Sequence, residues 1–285
     1  MAINWFPGHM AKTRREIKEN LKFVDVVIEI RDARIVKSSA NPDIDSICNN
    51  KPRIILLNKS DLAEEKITRQ WIEKLSNDSV KVLSVNCVTG KGLNNIKPTI
   101  NELLKEKHDR LKSKGMVNIT TRAMVVGIPN VGKSSFINKM AKNNTAKVGD
   151  RPGVTKNKQW IKTKMGIELL DTPGVLWPKF EDESVGLDLA FTGAIKDEIM
   201  DIETLAFKLI GKLQEEYPEK LMERYKLNSL SEDTLENMDN IGRKRGAVIS
   251  GGNIDYNRVS VMILDEFRGG KLGPISLERP WYIWI

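Results

Sequence analysis

The sequence predicts an α/β protein, a mostly parallel sheet with helices on both faces, followed by a small all-helical domain. Three observations predict it. Up to Pro178, apolar runs of strand length alternate with stretches of helical period, as in βαβ units. Within that region the string Gly127-Ile128-Pro129-Asn130-Val131-Gly132-Lys133-Ser134 lies between the apolar run Arg122-Ala123-Met124-Val125-Val126 and a helix-forming stretch from Ser135 to Met140. Beyond Pro178 the apolar residues recur at helical spacing.

Taken in order, residues near Lys12 to Lys22 read as a basic helix with Met10, Ile17 and Leu21 on one face. Strands are expected near Val24 to Ile30, Arg53 to Leu57 and Val80 to Val85, with helices near Glu64 to Leu75 and Leu93 to Leu111. Lys112-Ser113-Lys114-Gly115 forms a polar joint. After it come the strand and helix around the glycine-rich string, then strands near Lys158 to Thr163 and Ile167 to Leu170. In the second domain, Ile202, Leu205, Ala206, Leu209, Ile210 and Leu213 mark a helix with Asp201 as its N-cap. Further helices are expected over Pro218 to Tyr225, Glu232 to Arg245 and Tyr256 to Arg268, the last stopped by Gly269-Gly270. The domains are 1–178 and 179–285.

The 285 residues can fill one large core or two modest ones. Two cysteines, Cys48 and Cys87, no secretory leader and no run of membrane-spanning length lead to the expectation of a reduced, cytoplasmic, soluble protein, a monomer with no membrane partner. The tail Trp281-Tyr282-Ile283-Trp284-Ile285 is too short to span a bilayer and reads as packing against the domain or a partner. The net charge of +8 divides unevenly. Residues 1–180 hold 33 Lys/Arg against 18 Asp/Glu, a balance of +15; residues 181–285 hold 13 against 20, a balance of −7. A basic excess on the first part suits a polyanion, RNA above all, through counterion release. Lysine spread over all faces for solubility is the alternative.

The motifs define a chemistry. The string from Gly127 to Ser134 fits G-x-x-x-x-G-K-[ST], whose backbone N–H groups face phosphates while Lys133 reaches the outer pair. Asn58-Lys59-Ser60-Asp61 follows the strand Ile54 to Leu57, a loop at the carboxyl end of a parallel strand. The Asp61 carboxylate can accept from the ring N–H and the exocyclic amine of guanine, a donor pair that adenine lacks, so GTP is selected over ATP. Asp171-Thr172-Pro173-Gly174 places a carboxylate near a metal and the Gly174 N–H near the terminal phosphate. Thr155 is the switch threonine that closes over Mg²⁺, with Ser134 as second hydroxyl ligand. Ser84-Val85-Asn86 ends another strand and backs the guanine through main-chain groups. The nucleotide site is therefore expected to comprise Asn58, Lys59, Asp61, Ser84, Val85, Asn86, Asn130, Val131, Gly132, Lys133, Ser134, Ser135, Thr155 and Gly174, with Mg²⁺ on Ser134, Thr155 and, through water, Asp171.

The order is inverted. In the usual arrangement the phosphate loop opens the domain and the base-reading loop follows, whereas here Asn58 to Asp61 precedes Gly127 to Ser134. The first domain reads as a circularly permuted P-loop GTPase. Directly after Gly174 stands Val175, where Ras-like enzymes carry a glutamine that orients the attacking water. Valine cannot orient water, so a slow isolated enzyme is expected. His9, between the Trp5-Phe6 anchor and turn of Pro7-Gly8 and the basic helix, is the leading replacement, with Lys133, Thr155 and Gly174 beside it in catalysis. His108, the only other histidine, is expected to be exposed.

With Trp5-Phe6-Pro7-Gly8-His9-Met10 at the start and Asp32-Ala33-Arg34 after the first strand, the chain closely resembles the bacterial ribosome biogenesis GTPase A family over essentially its whole length. That resemblance implies a protein that binds the immature large ribosomal subunit and its rRNA, helps a late step of assembly and leaves after hydrolysing GTP to GDP, stimulated by the subunit. It implies that His9 matters for hydrolysis and that the helical domain touches rRNA. Among the residues themselves, Lys12, Arg14, Arg15 and Lys18 form a basic face near the amino end, and Arg243-Lys244-Arg245 is a local cluster in the otherwise acidic second domain; both are candidates for RNA contact, with a solvated face as the alternative. Similarity to GTPases with the string Pro-Asn-Val-Gly-Lys-Ser implies that Asn130 helps coordinate K⁺; an asparagine there can instead stabilise the loop turn. A signalling or trafficking GTPase acting through protein effectors, and a nucleotide-gated scaffold, remain the other classes.

Overall fold

β1 (Val26–Asp32) is buried at all seven positions, so both faces are covered at the centre of the sheet. In a computed structural model of the protein, the described residues are 15–48, 51–117, 119–141, 160–172 and 182–281. His9, Thr155, Gly174 and Val175, together with residues 5–8, Met10, Lys12, Arg14 and 282–285, lie outside them.

β2 (Arg53–Asn58) and β4 (Thr121–Val126) flank β1 in parallel. β3 (Val80–Ser84) pairs in parallel with β2, and β6 (Ile167–Asp171) with β4. β5 (Trp160–Lys162) runs antiparallel to β6 and completes the order β3-β2-β1-β4-β6-β5. The sheet is thus mostly parallel, as expected, and β4, which comes after residue 120, lies at its centre beside the first strand. The carboxyl ends of its parallel strands share one edge, the edge at which open α/β sheets bind ligands.

Helices α1 (Pro42–Cys48), α2 (Glu65–Leu75), α3 (Ile96–Leu103), α4 (Lys105–Ser113) and α5 (Lys133–Met140) accompany the sheet. The helical residues 15–21 bury Ile17 and Leu21 against Val27, Ile44, Ile47, Met124 and Val126. A second cluster joins Ala33, Val36, Ile55, Leu57, Ala63, Trp71 and Val82. Two expectations differ from the fold. The single helix expected over Leu93 to Leu111 is a 3₁₀ turn (Leu93–Asn95) followed by α3 and α4, which are separated at Leu104 (φ −104°, ψ 12°). Leu104 is buried, and the break keeps it in the core. His108 is half-buried rather than exposed, with Nε2 3.4 Å from Thr121 Oγ1. Cys48 and Cys87 are both buried, and burial pushes the Cys87 thiol up to about 12.

The chain divides into two compact units, Met1–Glu181 with Glu278–Ile285, and Asp182–Leu277. The second unit is helical: α6 (Glu183–Phe191), α7 (Ile202–Glu216), α8 (Pro218–Tyr225), α9 (Thr234–Lys244) and α10 (Tyr256–Arg268). Asp201 caps α7 by accepting from the Glu203 and Thr204 N–H groups at 3.1 and 3.3 Å. α7 buries Leu205, Ala206, Leu209, Ile210 and Leu213, the apolar stripe read from the sequence. At the end of α10, the Arg268 guanidinium donates to the Ala190 and Phe191 carbonyls and pairs with Asp197 at 2.7 Å, tying α10 to α6. The sequence reading did not include α1 or α6. α1 is a short, seven-residue helix, and α6 contains Gly186 and a buried Asp188, so neither presents a clean amphipathic period.

Candidate nucleotide-binding site

Between β4 and α5 the chain turns through Gly127 to Gly132, and glycine is required at both ends of the turn. A Cβ on Gly127 (φ +154°) would lie 2.6 Å from the Ile30 carbonyl oxygen. On Gly132 (φ +101°) it would lie 2.2 Å from Asn58 Nδ2. Asn130 adopts the left-handed conformation (φ 59°), which asparagine tolerates better than most side chains. α5 begins at Lys133, so Ser134 and Ser135 stand exposed on the first turn of a helix whose N–H groups point outward.

Lys133 Nζ donates to the Gly127 and Ile128 carbonyls at 3.0 and 2.9 Å. Burial pushes its ammonium down to about 8, with the Asp171 carboxylate acting in the opposite direction. Asp171 is the partner of Val125 in the β4–β6 register. Burial raises its carboxyl, opposed by Lys133 and by the Thr172 backbone N–H. Thr172 Oγ1 donates to the Val125 carbonyl at 2.6 Å and locks the strand end in place.

The base-reading candidates lie on the same edge. Asn58 is buried and joins three segments. Its Nδ2 donates to the Val131 carbonyl at 2.7 Å, and its Oδ1 accepts from the Cys87 N–H at 2.9 Å. One side chain thereby fixes the phosphate loop and the segment after β3 to β2. Lys59 takes a left-handed backbone (φ 58°), and its ammonium stands 2.9 Å from the Asp32 carboxylate. Asp61 is exposed at the loop's end. Val85 accepts from Ser60 N–H at 3.2 Å, and the Asn86 Oδ1 accepts from Val88 and Thr89 N–H, both at 2.9 Å. Gly92 backs this segment so closely that a Cβ would fall 2.3 Å from the Ser84 carbonyl oxygen. The sheet edge therefore brings together Asn58, Lys59, Ser84, Val85, Asn86, Asn130, Val131, Gly132, Lys133 and Ser134.

Asp32 and Arg34 act in this arrangement beyond marking a family. Arg34, 1% exposed, gives Nε and Nη2 to the Asp32 carboxylate at 3.0 and 2.8 Å. Burial raises the Asp32 carboxyl, but Arg34 and Lys59 outweigh it and hold the group far below the usual carboxylate range. The signal available in the sequence was an acidic residue at a strand end two positions before a basic one.

The 50S ribosome-binding GTPase family matches residues 122–232. Ribosome biogenesis GTPase A of Bacillus pumilus is 52% identical over 280 residues, covering 98% of this chain and 99% of that protein. The Thermotoga maritima protein of the same name is 33% identical over 98% of this chain and 95% of its own length. The chain belongs to the ribosome biogenesis GTPase A family. Mitochondrial ribosome-associated GTPase 1 of Bos taurus is also similar, at 33% identity over 96% of this chain and 88% of its own. A structure described as GNP-bound YlqF from T. maritima is 28% identical, with a TM-score of 0.64 over 95% of this chain and 99% of that one.

Membership of the ribosome biogenesis GTPase A family makes the chain a GTP hydrolase that works in ribosome assembly, with GTP and GDP as its nucleotides. Among the described residues no group of three or more His, Cys, Asp or Glu side chains could cage a metal. The Ser134 hydroxyl on the first turn of α5 and the Asp171 carboxylate at the end of β6 are hard oxygen donors of the kind that suits Mg²⁺, which takes few protein ligands. No helix among them is long and apolar enough to cross a membrane.

The basic cluster of the helical unit divides between packed and exposed side chains. Arg245 lies over the Tyr225 ring, 5.2 Å from its centroid, and 3.4 Å from the buried Glu266 carboxylate, which also pairs with Arg224 at 2.6 Å. Arg243 and Lys244 are exposed. In the helix at 15–21, Lys18 is exposed while Arg15 pairs with Glu19 at 3.0 Å.

Proposed function

We propose that this GTPase binds the immature large ribosomal subunit through its rRNA, promotes a late step of assembly and leaves on hydrolysing GTP. The observation that carries this reading is 52% identity, over nearly the full length of both chains, to a protein named ribosome biogenesis GTPase A. The +15 balance of residues 1–180 supports an RNA partner. The protein would act in the cytoplasm as a monomer, with the first unit as its GTPase domain and the helical unit as its ribosome-binding domain; the boundary expected at 178/179 then moves to 181/182, and residues from 278 onward go with the first unit rather than with the second.

Asp61 reads the guanine edge, with Lys59 beside it and the main chain of Ser84, Val85 and Asn86 behind the base. Asn58 supports that reading by bracing the loop. Val131, Gly132, Lys133, Ser134 and Ser135 surround the phosphates, and Lys133 exchanges its bonds to the loop carbonyls for phosphate oxygens. Ser134, Thr155 and Asp171 would hold Mg²⁺, which would supply positive charge to the outer phosphate oxygens. The Gly174 N–H approaches the terminal phosphate, His9 places the attacking water that Val175 cannot, and Asn130 favours K⁺ over Na⁺.

GTP hydrolysis with and without purified large subunits tests the proposal. Stimulation by the subunit is expected, and its absence would favour the class that acts through protein effectors. Equal subunit-stimulated rates in KCl and NaCl would remove the K⁺ role of Asn130.

A further inference from the structure

The helical unit ends at Leu277, and the next residues rejoin the first unit. Glu278 seats its carboxylate on the turn that follows β1. It accepts from the Lys37 N–H at 2.6 Å, from the Ser38 N–H at 2.9 Å and from the Ser38 hydroxyl. Its own carbonyl accepts from Trp71 Nε1 at 3.4 Å. Lys74 donates to the Pro280 carbonyl and lies over the rings of Trp71 and Trp281, 5.8 and 5.9 Å from their centroids. Three donors converging on one carboxylate form a specific, charge-assisted seat. Ser38 is 2% exposed, so the bonds it gives are sheltered from water.

The other end of this turn is bonded to the base-reading loop. Ser39 Oγ accepts from the Asp32 N–H at 3.0 Å and donates to the Ile35 carbonyl at 2.6 Å, closing the turn onto Asp32. Ala33 N–H donates to the Asn58 carbonyl at 2.8 Å. The Asp32 carboxylate in turn holds Arg34 and Lys59. Glu278 is therefore joined to Asp32 and Lys59 through one short turn: its bonds end on Lys37 and Ser38, and the adjacent Ser39 bonds to Asp32.

We propose that Glu278 is a positioning residue for guanine recognition, with 278–281 acting as a strap that fixes the turn supporting Lys59. The proposal rests on the base-reading role of Asn58 to Asp61. Because Leu277 precedes it directly, the strap makes the affinity for nucleotide sensitive to anything that draws on the end of the helical unit.

The test is a double-variant series in the full-length chain, read by fluorescent GDP titration and by steady-state GTP hydrolysis. Glu278→Gln is expected to weaken GDP binding roughly three- to tenfold, with the loss appearing in KM rather than in kcat, and Glu278→Asp to restore part of it. In a Lys59→Met background, Glu278→Gln is expected to add nothing further, because its effect passes through Lys59. Ser38→Ala, which removes only the hydroxyl donor to the Glu278 carboxylate, should give a smaller loss of the same kind and serves if Glu278→Gln folds poorly. Unchanged GDP affinity in Glu278→Gln alongside weakened binding in Lys59→Met overturns the strap alone. Fully additive losses overturn it as well. Unchanged affinity in Lys59→Met removes the base-reading assignment and the strap's role with it.

Discussion

The Lys59 ammonium stands 2.9 Å from the Asp32 carboxylate, so the residue that follows β2 is held by the end of the neighbouring strand. β1 and β2 run parallel with Asp32 opposite Asn58, which brings the two strand ends side by side. Lys59 needs the left-handed backbone at φ 58° to reach across, and a charged anchor offsets the strain of that conformation. The loop from Asn58 to Asp61 thus has its lysine fixed by protein contacts alone.

Replacing Asp32 by Asn removes the negative charge that Arg34 and Lys59 share in a site where Asp32 is 2% exposed. Breaking a buried ion pair from one side costs about 3 kcal/mol or more. Urea denaturation should show that loss for Asp32→Asn and a clearly smaller one for Lys59→Met, whose side chain is 25% exposed. Equal losses would mean that Lys59, and not Arg34, dominates the energy of the cluster.

Gly132→Ala places a methyl group 2.2 Å from Asn58 Nδ2 at a backbone of φ +101°. Either the phosphate loop moves or Asn58 gives up its bond to the Val131 carbonyl, and both outcomes disturb the joint between phosphate and base loops. GDP affinity should fall by about fivefold or more, since losing such a buried bond costs about 1–3 kcal/mol. Fluorescent GDP titration measures it, and affinity within twofold of the wild type would show that the joint is dispensable.

The parallel sheet was legible because its strands are short apolar runs with polar loops at their carboxyl ends, and Asn58 and Gly127 fall where those runs stop. The bridging role of Asn58 was not legible. Its partners, Val131 and Cys87, come from loops 73 and 29 residues away and are met through backbone atoms, and backbone atoms leave no mark in a sequence. The seat of Glu278 was hidden for the same reason: two of its three donors are main-chain N–H groups. The cluster Arg243-Lys244-Arg245 was visible as charge, but only packing shows that Arg245 is taken by Glu266 and Tyr225.

That division of the basic cluster gives a prediction with opposite readouts. Lys244→Ala should weaken binding to large-subunit particles and reduce the slope of log affinity against log salt by about one, without moving the thermal midpoint. Arg245→Ala should lower the thermal midpoint of the helical unit, because Glu266 is 6% exposed and loses one of its two arginines. Binding assays at several salt concentrations, with calorimetry alongside, separate the two effects. A Lys244→Ala variant with an unchanged salt slope would take this face out of the RNA contact.

Asp188 gives the helical unit a pH dependence of defined sign. Burial pushes its carboxyl up to about 6 from an ordinary 3.8, against the pull of Lys212 at 2.9 Å, and Glu216 and Asp182 add to the rise. The folded chain therefore binds the proton more tightly than the unfolded one. The stability this contributes is complete below about pH 3.8 and is lost as the pH rises through 6, so at neutral pH the ionised carboxylate costs up to about 3 kcal/mol. Asp197, held below the ordinary range by Arg268, changes stability in the opposite direction, as does Glu266, where Arg224 and Arg245 outweigh burial. Both terms are common to the wild type and Asp188→Asn and cancel in their difference. Asparagine keeps an acceptor for Lys212 without the buried charge. The variant's advantage in unfolding free energy should be near zero at pH 4 and grow to as much as about 3 kcal/mol at pH 7. Urea denaturation of both proteins at the two pH values measures it, and an advantage that stays flat or shrinks would show that Lys212 fully offsets the burial of Asp188.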